Sequence, residues 1–207
     1  MRLLGMMKEM SDGSQKNAQR RERILSAATR LFGCYGASKT TIADIAREAD
    51  VSVGAVYLDF ASKEAVLGEL SGHQHEALYA ETEAAVRAAR GLAAQLEAWI
   101  CTRTRWLCQR AGEAAHGCDL LHGCHEPVKN AREKYAEREL ALVVEILAAA
   151  KKRDEYTHSS SPKEMARVLL DACTSLLPPH LERDEKVATR RARRIAELVT
   201  VGLLTRD

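Results

Sequence analysis

Apolar positions recur with a helical period along most of this 207-residue chain. From Arg20 onward, Ile24, Leu25, Ala28, Leu31 and Phe32 share one helix face, and Gly33 and Gly36 are expected to stop that helix. Thr41 and Asp44 then have capping-box spacing ahead of a short apolar face made by Ile42, Ile45, Ala46 and Ala49. The pattern breaks at Asp50 and Val51. Ser52 is placed to cap a second short helix around Val56, and Ser62 a third running through Val66, Leu67 and Leu70. Two short helices joined by a tight turn, with longer helices on either side, form the helix-turn-helix layout.

Downstream the periods lengthen. They predict helices over 72–90 and 92–110, a looser glycine-bearing stretch at 111–126, and a long helix opened by Pro127 and reaching about 154. A polar loop follows at 157–161. A further helix is expected from Pro162 to Leu177, ended by Pro178 and Pro179, and a last one over 184–204. Residues 1–17 show no clear period and are read as a mobile arm.

Composition sharpens the fold class. Alanine fills 33 positions, aromatics make up 4% and no proline precedes Pro127. Alanine is the best helix former, whereas strands favour β-branched and aromatic side chains, so the chain reads as all-α. The formal net charge of +2 says little. Its distribution says more: Lys16, Arg20, Arg21, Arg23, Arg30, Lys39 and Arg47 face only Glu22 and Asp44 between Ser14 and Arg47, a local basic footprint. No segment is apolar enough to span a bilayer and no signal peptide is evident, so a cytoplasmic protein with reduced cysteines is expected.

The run from Thr40 to Glu64 resembles the DNA-binding signature of TetR/AcrR-family transcriptional regulators. Ile45-Ala46, Ala49, Val51-Ser52, Gly54, Tyr57, Phe60 and Ser62-Lys63 stand where that family usually has them. The resemblance implies a helix-turn-helix domain over 18–66 and a helical effector-binding and dimerisation domain over 67–207. It implies a homodimer on a palindromic operator, acting as a repressor and released by a small molecule, with no cofactor and no catalysis. In a helix-turn-helix the second helix lies in the major groove with its N-terminal residues at the base edges. Those residues are Ser52, Val53, Gly54 and Ala55, while Thr41, Tyr57 and Lys63 resemble the family's phosphate contacts. Three positions depart from the pattern. Val53 replaces a basic or polar base reader, Asp50 a turn glycine, and Asp59 an aromatic or histidine that faces phosphate. A lone Asp59 carboxylate there would be repelled, so Asp59→Asn is expected to tighten DNA binding.

Candidate effector residues are Trp99 and Trp106, Cys101, Cys118 and His122, although each also fits ordinary packing. Two further readings stay open at this point. Cys118, His122, Cys124 and His125 fall close together, and thiolates and imidazoles suit soft metals, so a metal- or redox-responsive regulator is one. No CxxC spacing supports it. A hydrolase with Cys118 as nucleophile and His122 as base is the other, without a recognisable nucleophile elbow or phosphate loop beside it. Met165, Val168, Leu169, Ala172, Leu176, Ile195, Leu198 and Leu203 form stripes broad enough to serve both a core and a dimer partner.

Overall fold

Helix α1 spans Arg2–Tyr35 in the computed structural model, which describes the backbone of residues 2–178 and 180–204 and the side chains of 15–178 and 180–203. Helical backbone thus extends through the segment expected to be an arm. Gly33 stays inside the helix, and the stop falls at Gly36, whose φ of 80° is the left-handed conformation that suits glycine. Helices α2 (Ile42–Glu48) and α3 (Val53–Asp59) follow, separated by Asp50 at φ 53°. Aspartate tolerates that conformation better than most residues, so the turn forms without its customary glycine. Ile24, Phe32, Ile45, Val56 and Val66 close the small core of this N-terminal unit.

Helix α4 runs unbroken over Lys63–Ala88, where two helices divided near Ser71 were expected. Ser71 does not cap anything. It is fully buried, and its hydroxyl donates to the Leu120 carbonyl at 2.6 Å. Gly72 costs roughly 1 kcal/mol in a helix interior, which the apolar face buried along α4 outweighs. The domain boundary expected at 66–67 therefore falls inside one continuous helix.

The larger unit adds α5 (Leu92–Glu113), α6 (Asp119–His122), α7 (Glu126–Lys152), α8 (Pro162–Ala172) with a 3-10 turn at Cys173–Leu176, and α9 (Glu185–Leu204). Helix α5 packs between α4 and α9, and α7 between α4 and α8. Leu96, Trp99 and Ile100 of α5 meet Val143 and Leu147 of α7 in its core. Helix α9 turns Ala188, Ala192 and Ala196 inward, and these small side chains let it lie close along α5. The stripes on α8 and α9 divide as expected of two-sided helices. Leu169, Leu176 and Leu203 are buried, while Val168 and Leu198 are exposed. Among the described residues there is no strand, and no helix is long and apolar enough to cross a membrane.

Candidate nucleic-acid interface and ligand cavity

Helix α3 is held at both ends by side chains. Ser52 Oγ accepts the Ala55 amide at 3.1 Å, which caps its start. At its other end Asp59 accepts from Arg20 Nε and Nη2, both at 2.8 Å, a two-pronged ion pair to α1. Between these ties Val56 is buried, and Val53, Tyr57 and Leu58 stand 42%, 54% and 78% exposed. Ser52 and Gly54 are exposed and Ala55 is half-buried. Three large side chains thus leave the protein surface from one short helix. Leu58 was not singled out from the sequence, because an apolar residue on a short amphipathic helix reads as core until its neighbours are placed.

The Arg20–Asp59 pair corrects the expectation for Asp59. Its carboxylate has a partner, and Arg20 holds it below the ordinary aspartate range. Asp59→Asn is therefore expected to weaken DNA binding, because it loosens α3 from α1. Duplex titration by fluorescence anisotropy checks this, and tighter binding by the variant would restore the repelled-charge reading. The carboxylate's depressed folded value means the pair's stabilisation is present at neutral pH and is lost only as pH falls below the ordinary aspartate range.

Lys63 also has a structural role. Its ammonium donates to the carbonyls of Ala37 at 2.8 Å and Thr40 at 3.0 Å, clipping the start of α4 to the loop before α2. Thr41 is exposed and forms the capping box with Asp44 at the start of α2. Arg21 of the basic cluster pairs with Glu69 and lies 4.3 Å over the Phe60 ring, so much of that cluster is internal bracing. Lys63→Ala is expected to cost about 1–3 kcal/mol of stability as well as affinity for every duplex. Chemical denaturation beside the binding titration measures both. An unchanged denaturation midpoint would return Lys63 to a phosphate contact alone.

A cavity of about 650 Å³ lies in the larger unit, bordered by α4, α5, α6, α7 and α8. Leu78, Leu107, Leu121, Leu140 and Leu170 supply apolar walls. At its buried end Arg103 Nη1 and Trp99 Nε1 both donate to Glu139 Oε1, at 2.5 and 2.9 Å. His75 borders the cavity with its Nδ1 tied to the Ser71 carbonyl at 2.8 Å. His122 completes this wall, its pKa pushed down to about 4 by burial and then by His75, Arg132 and Arg103. It is neutral at pH 7. Because a buried neutral imidazole must charge on acidification, stability is expected to fall as pH drops from about 6.5 towards 4. The full effect is about 3 kcal/mol. Thermal unfolding across that range, against His122→Leu, measures it; identical pH profiles would contradict the burial.

Of the five residues expected to line an effector site, His122 alone borders this cavity. Trp99 is fully buried behind Glu139, Trp106 packs under Arg110 at 4.7 Å, and Cys101 is buried in the α5 face. Cys118 donates to the Leu107 carbonyl at 3.6 Å, and burial pushes its thiol up to about 11. That environment keeps it protonated, the opposite of an activated nucleophile. Cys124 is exposed, and His125 Nε2 lies 3.3 Å from the Ser38 hydroxyl. Among the described residues no three His, Cys, Asp or Glu groups are placed to hold a metal ion, so the cysteine–histidine stretch does not assemble. The polar residues missed, Arg103, Tyr135, Glu139 and His75, carry one faint signal. Arg103 lies on the same α5 face as Trp99 and Leu107, where a charge needs a buried partner.

The stretch around α6 joins the two units. The His116 amide donates to the Gly33 carbonyl at 2.9 Å, and its ring covers Gly36, where an added Cβ would lie 3.2 Å from it. Leu120 belongs to the N-terminal core, whereas its neighbour Leu121 lines the cavity. Gly117 passes so close to the Arg110 carbonyl that a Cβ would lie 1.8 Å from it, which explains glycine there.

Residues 24–70 match the family of bacterial regulatory proteins named tetR. Over 49 residues, 24% of this chain, the sequence is 51% identical to the HTH-type transcriptional regulator HbdR of Aromatoleum sp. (strain CIB). Over an equal length it is 49% identical to the uncharacterized HTH-type transcriptional regulator YerO of Bacillus subtilis (strain 168). The matches span only 21% and 17% of those proteins' own length. Solved structures extend the likeness in shape. The fatty acid degradation regulator FadR of Bacillus halodurans superposes with a TM-score of 0.70 at 18% identity, over 90% of this chain and 97% of that one. FadR of Bacillus subtilis, solved in complex with stearoyl-CoA, gives 0.67 at 17% over 87% and 98%. A tetR-family regulatory protein of Rhodococcus RHA1 gives 0.66 at 21% over 91% and 98%. Identities this low show a shared fold.

Proposed function

The chain belongs to the tetR family of bacterial regulatory proteins through its N-terminal domain, and on that premise we propose that it is a transcriptional repressor, a homodimer released from a palindromic operator by a small molecule. The observation that carries the reading is α3, capped at Ser52, braced at Asp59 and projecting Val53, Tyr57 and Leu58 outward. Val53, Leu58 and Ala55 suit apolar contact with thymine methyl groups, and the exposed Gly54 lets backbone approach the base edges. Thr41 and Tyr57 fit phosphate contacts, which position the helix without specifying sequence.

Dimerisation falls to the outer faces of α8 and α9, where Val168, Val187 and Leu198 are 57%, 45% and 74% exposed. Two-fold pairing there places two reading heads on one duplex, with half-sites one helical turn or a multiple apart, about 34–36 Å. Release runs through α6. A ligand in the cavity presses on Leu121 and His122, and the adjoining Leu120 and His116 pass the shift to α1 and α4. For release the ligand must favour the conformation that does not fit DNA.

The test is selection of bound duplexes from a random pool by the full chain, followed by titration at several salt concentrations. An inverted repeat and an affinity falling steeply with salt are expected, since each phosphate contact adds about 0.9 to the log–log slope. Recovery of no preferred sequence, or binding indifferent to salt, would overturn the reading.

A further inference from the structure

The geometry points to an effector of defined chemistry: an amphipathic small molecule with an apolar body and one oxygen-acceptor head, a carboxylate or a carbonyl, received by Arg103. This rests on the regulator reading of the same cavity and specifies what occupies it.

Arg103 is 3% exposed, and only its Nη1 is used, on Glu139. Its Nε and Nη2 are buried without any partner. These two donors lie along one edge of the planar guanidinium, the edge whose spacing matches two carboxylate oxygens. The same edge of Arg20 grips both oxygens of Asp59 at 2.8 Å in this molecule. In Arg103 the fork is empty, and the side chain already borders the cavity. The Tyr135 hydroxyl, on the same wall, is likewise buried, and it interacts only weakly with Glu139. At this end the donors of Arg103, Trp99 and Tyr135 all converge on the Glu139 carboxylate. Glu139 Oε1 is already shared by Arg103 and Trp99. Buried donors without acceptors cost free energy, and a half-satisfied polar network costs more than a complete one. A turn of the guanidinium toward the cavity brings the fork to a ligand oxygen and completes the network.

The other groups agree with this selection. His75 and His122 are held below their ordinary values by burial and add no charge at neutral pH. An amine head would bring a second cation against Arg103 with only the occupied Glu139 to balance it. The mouth carries Arg132 and Arg167 beside Glu133, Glu137 and Asp171, charges of both signs, so discrimination falls to the buried end. Leucine walls take the apolar body, and the cavity's 650 Å³ is within the range of about 300–1,000 Å³ typical of small-molecule sites.

The experiment is calorimetric titration of the full chain with octanoate, methyl octanoate, octylamine, phenylacetate and phenethylamine. At least one carboxylate or the ester is expected to bind about tenfold or more tighter than its matched amine, ~1.4 kcal/mol. Binding of the ester alongside octanoate shows that a carbonyl suffices; binding of the acids alone shows that the charge is required. The double variant Arg103→Gln with Glu139→Gln keeps an acceptor for Trp99 and removes both charges, and it is expected to lose the preference while unfolding cooperatively. Equal binding of acids and amines, a preference surviving in the double variant, or no binding by any probe at millimolar concentration would overturn the proposal. Duplex binding is measured on the same preparation. DNA binding without ligand selectivity sinks the effector class and leaves the regulator, whereas ligand selectivity without DNA binding does the reverse.

Discussion

Arg103→Met is expected to destabilise the chain by about 3–5 kcal/mol, because it strands the Glu139 carboxylate in the core without its cationic partner. Glu139 is 5% exposed, and its Oε1 takes hydrogen bonds from Arg103 and Trp99. Burying an ion pair is a near balance between desolvation and attraction, so the pair itself adds little. Removing one partner leaves the whole desolvation penalty of the other. The neutral pair Arg103→Gln with Glu139→Gln should recover most of the loss, since it removes both charges together. Urea denaturation of the three proteins measures this. Equal midpoints for the wild type and Arg103→Met would show that water reaches the carboxylate.

The second large effect is on assembly. Leu198→Glu is expected to give monomers whose operator affinity falls to that of non-specific binding, a loss of roughly a thousandfold or more. Leu198 points away from the alanine face that α9 lays on α5, so the substitution leaves the intramolecular core untouched. A charge buried at a two-fold contact meets its own copy and lacks an opposite partner. Sedimentation at micromolar concentration should show the monomer, and circular dichroism an unchanged helix content. A tight dimer from Leu198→Glu would move the contact elsewhere, and a monomer that still holds the operator would remove dimerisation from the mechanism.

The reading head was legible because its determinants are local. The Thr41–Asp44 box, the Ser52 cap and the Ser62 cap each act over three residues, and all three form. The roles of charged residues around it were not legible. Asp59 reads as a stray anion on α3 until Arg20, 39 residues earlier, is seen holding it. Lys63 reads as a phosphate ligand until the carbonyls of Ala37 and Thr40 are placed under it. A charge on a helix surface has no periodicity that reveals its partner.

The cavity shows the same division. Its apolar walls come from helical stripes visible along the chain, but such stripes do not distinguish a packed core from a hollow one. Proximity in sequence does not bring the cysteine–histidine stretch together, because short helix α6 turns successive side chains toward different neighbours.

By itself, then, the sequence determined the all-α class, the helix-turn-helix and its caps, and the two-faced character of α8 and α9. Helical period, capping and turn chemistry act over a few residues and are written in order along the chain. The tertiary structure alone decided that α4 is one rod, that Asp59 and Lys63 brace the reading head, and that Arg103 borders a cavity with an empty fork. Those outcomes depend on which distant groups share a low-dielectric space, where a missing or present partner changes the free energy by more than any local propensity.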